Sequence, residues 1–451
     1  MRPLAAVVLV AVGLGCSSWQ RVGTQSRPEP SAAMSTLFDA ATVYHAMGFL
    51  VAGPPLPFVA TVHYVAAATP DTTLAVFGLS LSNHALSFMR DGNEFVAQYH
   101  VEVMFRNDTA TARQVSTDET IRVRTFQETQ RVDESVIYQQ IVGLRAGVYR
   151  VAVTVRDRNG PAASSRQERL DTIPRFAGRS VTVPIAVYQA TGRTRLTDPP
   201  KLLLNPRATL PYGSDSLRFY VEAYGLPRGA RLAARALGPE GQESWHDTVA
   251  LSGGDTLASV VLVIRPGELP VGKGRFEVTP VGASVSPASP FLVSFSEQWA
   301  ITNFEQMISL LRYFDRQDWV DSLRKASPAD RPAVWRRFYK ATDPVPATPE
   351  NEALDRYFAA IQLANQRYRE PGVPGWLSDR GEVFITLGDP DDIFDFSADV
   401  TRTGVRGIRW TYNALRILLF FQDPSGFGRF RLTPQSRAEY QQALARVQRT
   451  R

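Results

Sequence analysis

The 451-residue sequence predicts a multidomain, β-rich protein in which two β-sandwiches precede a small α+β domain. Apolar and polar residues alternate between residues 58 and 194 and again from residue 217, which is the spacing of half-buried strands. After Trp299 the apolar residues recur every three or four positions, as in amphipathic helices. With 44% hydrophobic residues the chain can form several cores. The predicted divisions are listed in chain order: residues 1–16, 17–56, 57–196, 197–298 and 299–451.

The first 16 residues have the pattern of a signal peptide. Arg2 precedes an apolar run from Leu4 to Leu14 that is closed by Gly15, and this run is too short to span a bilayer. Cys16, the only cysteine, follows at once and resembles the lipobox cysteine of bacterial lipoproteins, although Gly13 stands where that family usually carries leucine. The resemblance implies export, lipidation of Cys16 and anchoring at the periplasmic face of the outer membrane. A soluble secreted protein is the alternative.

The segment from residue 17 to 56 predicts a flexible tether followed by a short helix at residues 37–51. The first sandwich is predicted from alternation such as that at residues 95–105, where Gln98, His100 and Glu102 share the polar face. Residues 144–151 and 269–278 both combine a leucine, a glycine turn and an aromatic residue that opens a strand. The two sandwiches therefore resemble immunoglobulin-like domains.

The last third predicts helices followed by an antiparallel meander. Helical spacing joins Phe304 to Phe314, Val334 to Tyr339 and Leu354 to Tyr368. Short strands are predicted at residues 382–387, 408–412, 417–422 and 429–432. A closing helix is predicted to begin at the capping box formed by Ser436 and Glu439.

The most specific string is GWLSDRGEVFITLGDPD, at residues 375–391. It closely resembles the signature of the GWxTD domain, a family of exported bacterial proteins, with Ser378 in place of the family's threonine. The resemblance covers roughly the C-terminal third; it implies a fold and no established activity.

From the residues themselves the motif has two interpretations. As a structural corner, Gly375 permits a tight turn, Trp376 fills the junction between helix and sheet, and the side chain of Ser378 caps nearby amides. We favour this interpretation over a ligand or interaction site. The candidate residues of such a site are listed here: Gly375, Trp376, Ser378, Asp379, Arg380, Gly388, Asp389, Pro390, Asp391 and Asp392.

The sequence contains no recognisable catalytic or metal-binding pattern. With Cys16 lipidated no thiol remains, and the histidines have no paired ligand spacing: His45, His63, His84, His100 and His246. We therefore expect no enzymatic activity, no cofactor and no metal. Only four of the 50 cationic residues are lysine and the arginines are scattered, so no nucleic-acid partner is expected.

The leading functional hypothesis is a non-enzymatic envelope lipoprotein that acts as a protein-interaction or assembly module. Its expected partners are envelope proteins, together with the bilayer that holds its anchor. A carbohydrate- or polymer-binding protein is the first alternative, because Tyr220 and Tyr224 fall on the polar face of a predicted strand. A metal-dependent hydrolase acting at an acidic loop, residues 389–395, is the second. The polar run at residues 128–135 is a secondary candidate for a recognition loop.

Overall fold

The computed structural model describes residues 40–107, 111–131, 135–160, 163–213, 216–296, 299, 301–347, 351–396 and 406–450. The predicted signal peptide, Cys16 and most of the tether lie outside these ranges. Within them, no helix has both the length and the apolar character needed to cross a membrane.

The described chain begins with helix α1 (Ala40–Ala46) and strand β1 (Leu50–Ala52). The predicted helix at residues 37–51 is therefore too long, because Gly48 has a φ of 83° and ends it. The strand β1 pairs with a strand of the first sandwich, so the described end of the predicted tether-and-helix segment, residues 17–56, belongs to that sandwich. On α1, the hydroxyl of Tyr44 lies 3.0 Å from Thr209 Oγ1 in the second sandwich.

The first sandwich consists of two antiparallel sheets. One sheet has the order β1-β2-β3-β7, in which β1 is followed by β2 (Phe58–Ala66), β3 (Thr72–Ser82) and β7 (Ser135–Arg145). The other has the order β4-β5-β8-β9, with β6 also paired to β5: β4 (Met89–Asp91), β5 (Glu94–Arg106), β6 (Thr111–Val123), β8 (Gly147–Asp157) and β9 (Ser164–Ile173). The short helix α2 (Phe126–Thr129) follows β6, and Glu128 of the proposed recognition loop forms a capping box with Thr125. Residues 132–134 of that run lie outside the described ranges.

The second sandwich also has two sheets. One has the order β12-β11-β14-β18-β17, with β10 paired to β14: β10 (Ser180–Val181), β11 (Ile185–Thr191), β12 (Lys201–Leu204), β14 (Leu217–Tyr224), β17 (Ser252–Gly253) and β18 (Leu257–Ile264). The other has the order β13-β20-β19-β15-β16: β13 (Thr209–Pro211), β15 (Arg231–Leu237), β16 (Glu243–Ala250), β19 (Gly272–Pro280) and β20 (Ala288–Ser294). Strands β10 and β11 were predicted in the first sandwich. Their pairing with β14 corrects that division and places it between Ile173 and Ser180.

The C-terminal part has six helices and one four-stranded sheet among the described residues. The helices are α3 (Phe304–Leu310), α4 (Gln317–Lys325), α5 (Arg331–Thr342), α6 (Glu352–Arg367), α7 (Asp379–Leu387) and α8 (Pro434–Thr450). The sheet has the order β21 (Asp392–Asp395), β22 (Arg406–Tyr412), β23 (Ile417–Asp423) and β24 (Arg431–Leu432). The β-rich architecture with two sandwiches and a final α+β domain is thus confirmed.

Two local predictions in this part are wrong. Residues 382–387 form helix α7 and not a strand, because Ser378 caps a helix that carries this apolar run. The closing helix begins at Pro434, two residues before the predicted capping box, and the Ser436 hydroxyl instead accepts the N–H of Phe420 at 2.9 Å.

One continuous apolar core joins the second sandwich to the C-terminal domain, while the first sandwich has its own core. A smaller cluster lies between the sandwiches, where Val65 and Val76 pack against Ile185 and Tyr220. Beside it, the amide of Gln139 donates to Leu202 O at 2.8 Å and accepts from Leu204 N at 3.0 Å. The interface between the sandwiches is therefore both apolar and specifically hydrogen-bonded.

A buried ion pair adds to this interface. The guanidinium of Arg193 bonds both carboxylate oxygens of Glu222, at 2.7 and 2.8 Å, and the two side chains are 2% and 0% exposed. Tyr220 donates to the same carboxylate at 2.6 Å, as does Tyr224. Both tyrosines are buried, and their hydroxyl groups donate hydrogen bonds to this buried carboxylate. The prediction that they form an exposed sugar platform is therefore wrong.

Candidate functional site

The GWxTD-like motif forms a tight corner between α6 and α7. Residues Gly375–Leu377 make a 3₁₀ turn, and Ser378 is the N-cap of α7. The fully buried Ser378 hydroxyl accepts the N–H of Gly381 at 3.0 Å and donates to Gly375 O at 2.7 Å. A hydroxyl at this position therefore satisfies one free amide of the helix and fastens the preceding turn.

Two glycines let the backbone segments of the corner approach closely. The N–H of Gly375 donates to Asn365 Oδ1 at 3.0 Å, and a Cβ at Gly375 would collide with the carbonyl oxygen of Ala364. A Cβ at Gly381 would collide with the carbonyl oxygen of Gly375. The corner therefore requires the absence of a side chain at both positions.

Trp376 fills the space behind this turn. Its side chain packs against α6 as part of the main core, and the residue is 6% exposed. The ring meets that of Tyr313 edge-on, with 6.3 Å between centroids. Its Nε1 is buried and has no hydrogen-bond partner among the described residues. This is the environment expected of a corner plug; a ligand platform would be open to solvent.

Asp379 connects the motif to the end of the chain. Its Oδ2 accepts the N–H of Leu432 at 2.8 Å and lies 2.7 Å from the Arg437 guanidinium. Arg437 also donates to Glu382 at 2.9 Å. The motif carboxylate thus joins α7 to β24 and α8, which is a structural role.

Arg380 points to a second, more buried carboxylate. It lies 3.2 Å from Glu370, whose side chain is 0% exposed, and its guanidinium stacks 4.5 Å from the ring of Phe430. Glu370 also accepts the N–H of Phe430 at 3.2 Å. Burial raises the pKa of Glu370 above its usual range, although the charge of Arg380 acts in the opposite direction.

The acidic residues after α7 do not form one site. Asp389 pairs with Arg367 at 2.8 Å, Asp391 accepts the N–H of Asn413 at 2.6 Å, and Asp392 lies 3.5 Å from Arg409. Residues from Asp392 onward form an exposed strand, so the predicted acidic loop is in part an edge strand. Gly388, with a φ of 85°, and Pro390 turn the chain from α7 into that strand. In the part of the chain that the structure describes, no group of three potential metal-binding side chains is present.

The motif residues therefore fall into two separate groups. Gly375, Trp376, Ser378, Asp379 and Arg380 lie together at the start of α7, whereas Gly388 to Asp392 follow its far end. A nine-residue helix separates the groups by roughly 13 Å.

An apolar surface covers the outer face of the C-terminal sheet. Three side chains form this surface: Phe394 on β21, and Leu418 and Phe420 on β23. They are 54%, 44% and 38% exposed, and the surface is called the outer face from here on. Phe394 and Phe420 both lie opposite Arg409 of the intervening strand β22, so the three strands present one continuous stripe. The Arg409 guanidinium lies 5.2 Å from the centroid of the Phe394 ring. From the sequence, Leu418 and Phe420 were assigned to a strand and Phe394 to the acidic loop, and the surface that they form together was not identified.

The structure also brings together three polar side chains that sequence spacing had separated. On the wet face of the first sandwich, His100 lies between Ser116 and Asp118, at 2.9 and 2.8 Å. From the sequence, His100 was placed on the polar face of a strand with Gln98 and Glu102, and was counted among the histidines without paired ligand spacing. The pairing register of β5 and β6, which determines this contact, is not readable from residue spacing.

Residues 284–426 match the family model of the GWxTD domain. This part of the chain is a GWxTD domain. The match begins just before β20 of the second sandwich and ends before β24 and α8. Since Asp379 of the GWxTD motif binds Leu432 and Arg437, the residues after the match complete the packing of the domain.

None of the curated proteins matches the chain. Among solved structures, one titled "Biofilm associated protein - BSP domain" is similar at 8% sequence identity and a TM-score of 0.16. The similarity covers 56% of this chain and 54% of that one, about half of its length. So low a TM-score supports no conclusion about fold or function.

Proposed function

We propose that this chain is a protein-interaction module of the bacterial cell envelope, and that its GWxTD domain binds a partner protein through the outer face. In this proposal the domain has no catalytic role, and the motif supports the fold that presents the surface. The observation that carries the proposal is the exposure of Phe394, Leu418 and Phe420 on a four-stranded sheet whose opposite face is core. Contiguous exposed apolar side chains typically mark interaction surfaces.

The edge of β23 beside the outer face adds a second argument. The N–H of Phe420 donates to Ser436 Oγ and its carbonyl accepts from Thr433, so the backbone of Phe420 faces away from β22. Alternation along the strand directs the N–H and carbonyl of Leu418 the same way. Strand β24 pairs only with Phe421 and Gln422. An extended segment of a partner can therefore pair with β23 at Leu418.

A groove of about 410 Å³ lies at this edge. Leu418 and Phe420 line it from the sheet, and Gln435, Glu439 and Gln442 line it from α8. Apolar side chains of the partner segment would contact the sheet, while its polar groups would face the helix. The mixed lining suits a protein segment better than a purely apolar ligand.

Site-specific photo-crosslinking tests this surface. With a photoreactive phenylalanine analogue in place of Phe420, we expect one discrete cross-linked partner in the native host. The same analogue in place of Arg166, an exposed residue of the first sandwich, is the control and should give none. Leu418→Asp should abolish the Phe420 cross-link without loss of folding, because Leu418 is 44% exposed. Absence of an adduct from all of positions 394, 418 and 420 would refute the proposed surface.

The envelope location and the lipid anchor rest on the N-terminal sequence. We infer that Cys16 is lipidated and holds the protein at the periplasmic face of the outer membrane. Cys16→Ser should move the protein from the membrane fraction to the soluble periplasm, because the acyl chains are lost. Fractionation followed by immunodetection measures this, with Ser17→Ala as the matched control. An unchanged membrane fraction for Cys16→Ser would contradict the anchor.

A further inference from the structure

The contact between His100, Ser116 and Asp118 follows from the strand register of the first sandwich. His100 lies opposite Asp118, and Glu102 lies opposite Ser116. The N–H of Arg158 donates to Gln98 O, so even-numbered residues of β5 bond to β8 and odd-numbered residues bond to β6. The His100–Asp118 pair is therefore of the non-hydrogen-bonded type, in which the two side chains approach most closely.

The three side chains are arranged in the order of a nucleophile, a base and an orienting carboxylate. His100 Nε2 lies 2.9 Å from Ser116 Oγ, and His100 Nδ1 lies 2.8 Å from Asp118 Oδ1. In this geometry the carboxylate selects the tautomer whose Nε2 can accept the serine proton. The His100 side chain is 17% exposed, so its ring is held by its neighbours, whereas Ser116 is open to solvent.

Arg158 holds the carboxylate in place. It donates to Asp118 Oδ1 at 2.8 and 3.0 Å, and its Nη2 lies 3.3 Å from His100 Nδ1. Hydrogen bonds from Arg158, and then from His100, lower the pKa of Asp118, so the carboxylate is ionised at neutral pH.

We propose that Ser116 is a nucleophile activated by His100, and that this face of the first sandwich hydrolyses carboxylic esters. This activity goes beyond the proposed interaction role of the GWxTD domain. Since Ser116 and Asp118 are both exposed to solvent, the substrate class is an ester whose carbonyl is accessible at the surface of a larger molecule. Ester cleavage is favoured over amide cleavage because an alkoxide leaves more readily than an amide anion.

The reaction balances with water as the only co-substrate. Ser116 Oγ attacks the carbonyl carbon and its proton moves to His100 Nε2; the bond to the alcohol oxygen then breaks, and the alcohol leaves with that proton. Water next attacks the acyl-serine, gives a proton to His100, and releases the acid as Ser116 recovers its proton. The N–H of Ser116, which alternation directs away from β5 to the outer edge of β6, can stabilise the oxyanion.

Labelling with a fluorophosphonate probe tests the activation of Ser116. The matched control is Ser164, an exposed serine on β9 of the same sheet. Peptide mass spectrometry should show Ser116 modified at least about tenfold faster than Ser164, because a positioned base typically contributes 10²–10⁴-fold. His100→Gln should reduce labelling of Ser116 to the rate at Ser164, while Arg166→Gln should leave it unchanged.

Two results would overturn the proposal: equal rates at Ser116 and Ser164, or undiminished labelling in His100→Gln. Circular dichroism confirms that each variant is folded before its rate is used. Hydrolysis of p-nitrophenyl acetate should disappear in Ser116→Ala and persist in Leu418→Asp. Since Leu418→Asp removes only the proposed interaction surface, failure of one proposal is distinguishable from failure of the other.

Discussion

Glu222→Ala is expected to lower the free energy of unfolding by about 3–5 kcal/mol, the cost of leaving one member of a buried ion pair without its partner. Arg193 is 2% exposed and would lose both hydrogen bonds to the carboxylate. Burial by itself lowers the pKa of Arg193, but the interactions with Glu222 and Tyr224 together outweigh this effect. The pKa is therefore raised above its ordinary value, and the guanidinium is charged in the native protein. Urea unfolding at neutral pH, followed by circular dichroism, measures the loss.

The effect of this variant should extend to the contact between the sandwiches. Arg193 also donates to the carbonyl of Ala66 at 2.5 Å, and Tyr224 accepts the N–H of Ala66 at 2.8 Å. Ala66 belongs to β2 of the first sandwich, whereas Glu222 and Tyr224 belong to β14 of the second. Removal of the carboxylate therefore releases groups that bind both sandwiches.

Glu168→Ala is the matched control for Glu222→Ala. Glu168 pairs with Arg150 and Arg166 on the exposed face of the first sandwich, where water screens the interaction. Its removal should change the urea midpoint little. Equal losses for the two variants would contradict the assignment of the Arg193–Glu222 pair as a buried lock.

Trp376→Ala is expected to cost about 3–5 kcal/mol of stability, the range for truncating a large buried aromatic side chain. Trp376 is 6% exposed and packs within the continuous core, so the substitution leaves a cavity behind the motif turn. Trp376→Phe is the control and should lose much less, because a ring remains and the indole N–H makes no hydrogen bond to the described residues. Urea unfolding of the three proteins gives the comparison.

Periodicity was sufficient to predict most of the elements and the fold class. The alternation at residues 95–105 lies within β5, and the helical spacing from Leu354 lies on α6. The run at residues 382–387 failed because a short apolar stretch fits either a strand or a helix. The deciding information was local but was not used: Ser378, recognised as a cap of nearby amides, is the N-cap of α7.

Features that depend on pairing between distant residues could not be predicted from the sequence. Strands β10 and β11 pair with β14 of the second sandwich, although the division was predicted between residues 196 and 197, next to two prolines at 199 and 200 that are typical of a linker. The partners of Asp379 lie more than fifty residues away, at Leu432 and Arg437. A single strand shows which of its faces is polar, but it does not show which residue of the neighbouring strand lies opposite.

The central claim is that the GWxTD motif maintains the fold while the outer face makes the interaction. The most direct measurement compares Trp376→Ala with the wild-type chain in two experiments on the same preparation. Urea unfolding gives the stability of each protein, and photo-crosslinking from position 420 at low temperature gives its partner binding. The account predicts a loss of about 3–5 kcal/mol in stability with the cross-link retained as long as the protein is folded. Unchanged stability together with loss of the cross-link would contradict it, because Trp376 would then belong to the binding site and not to the corner.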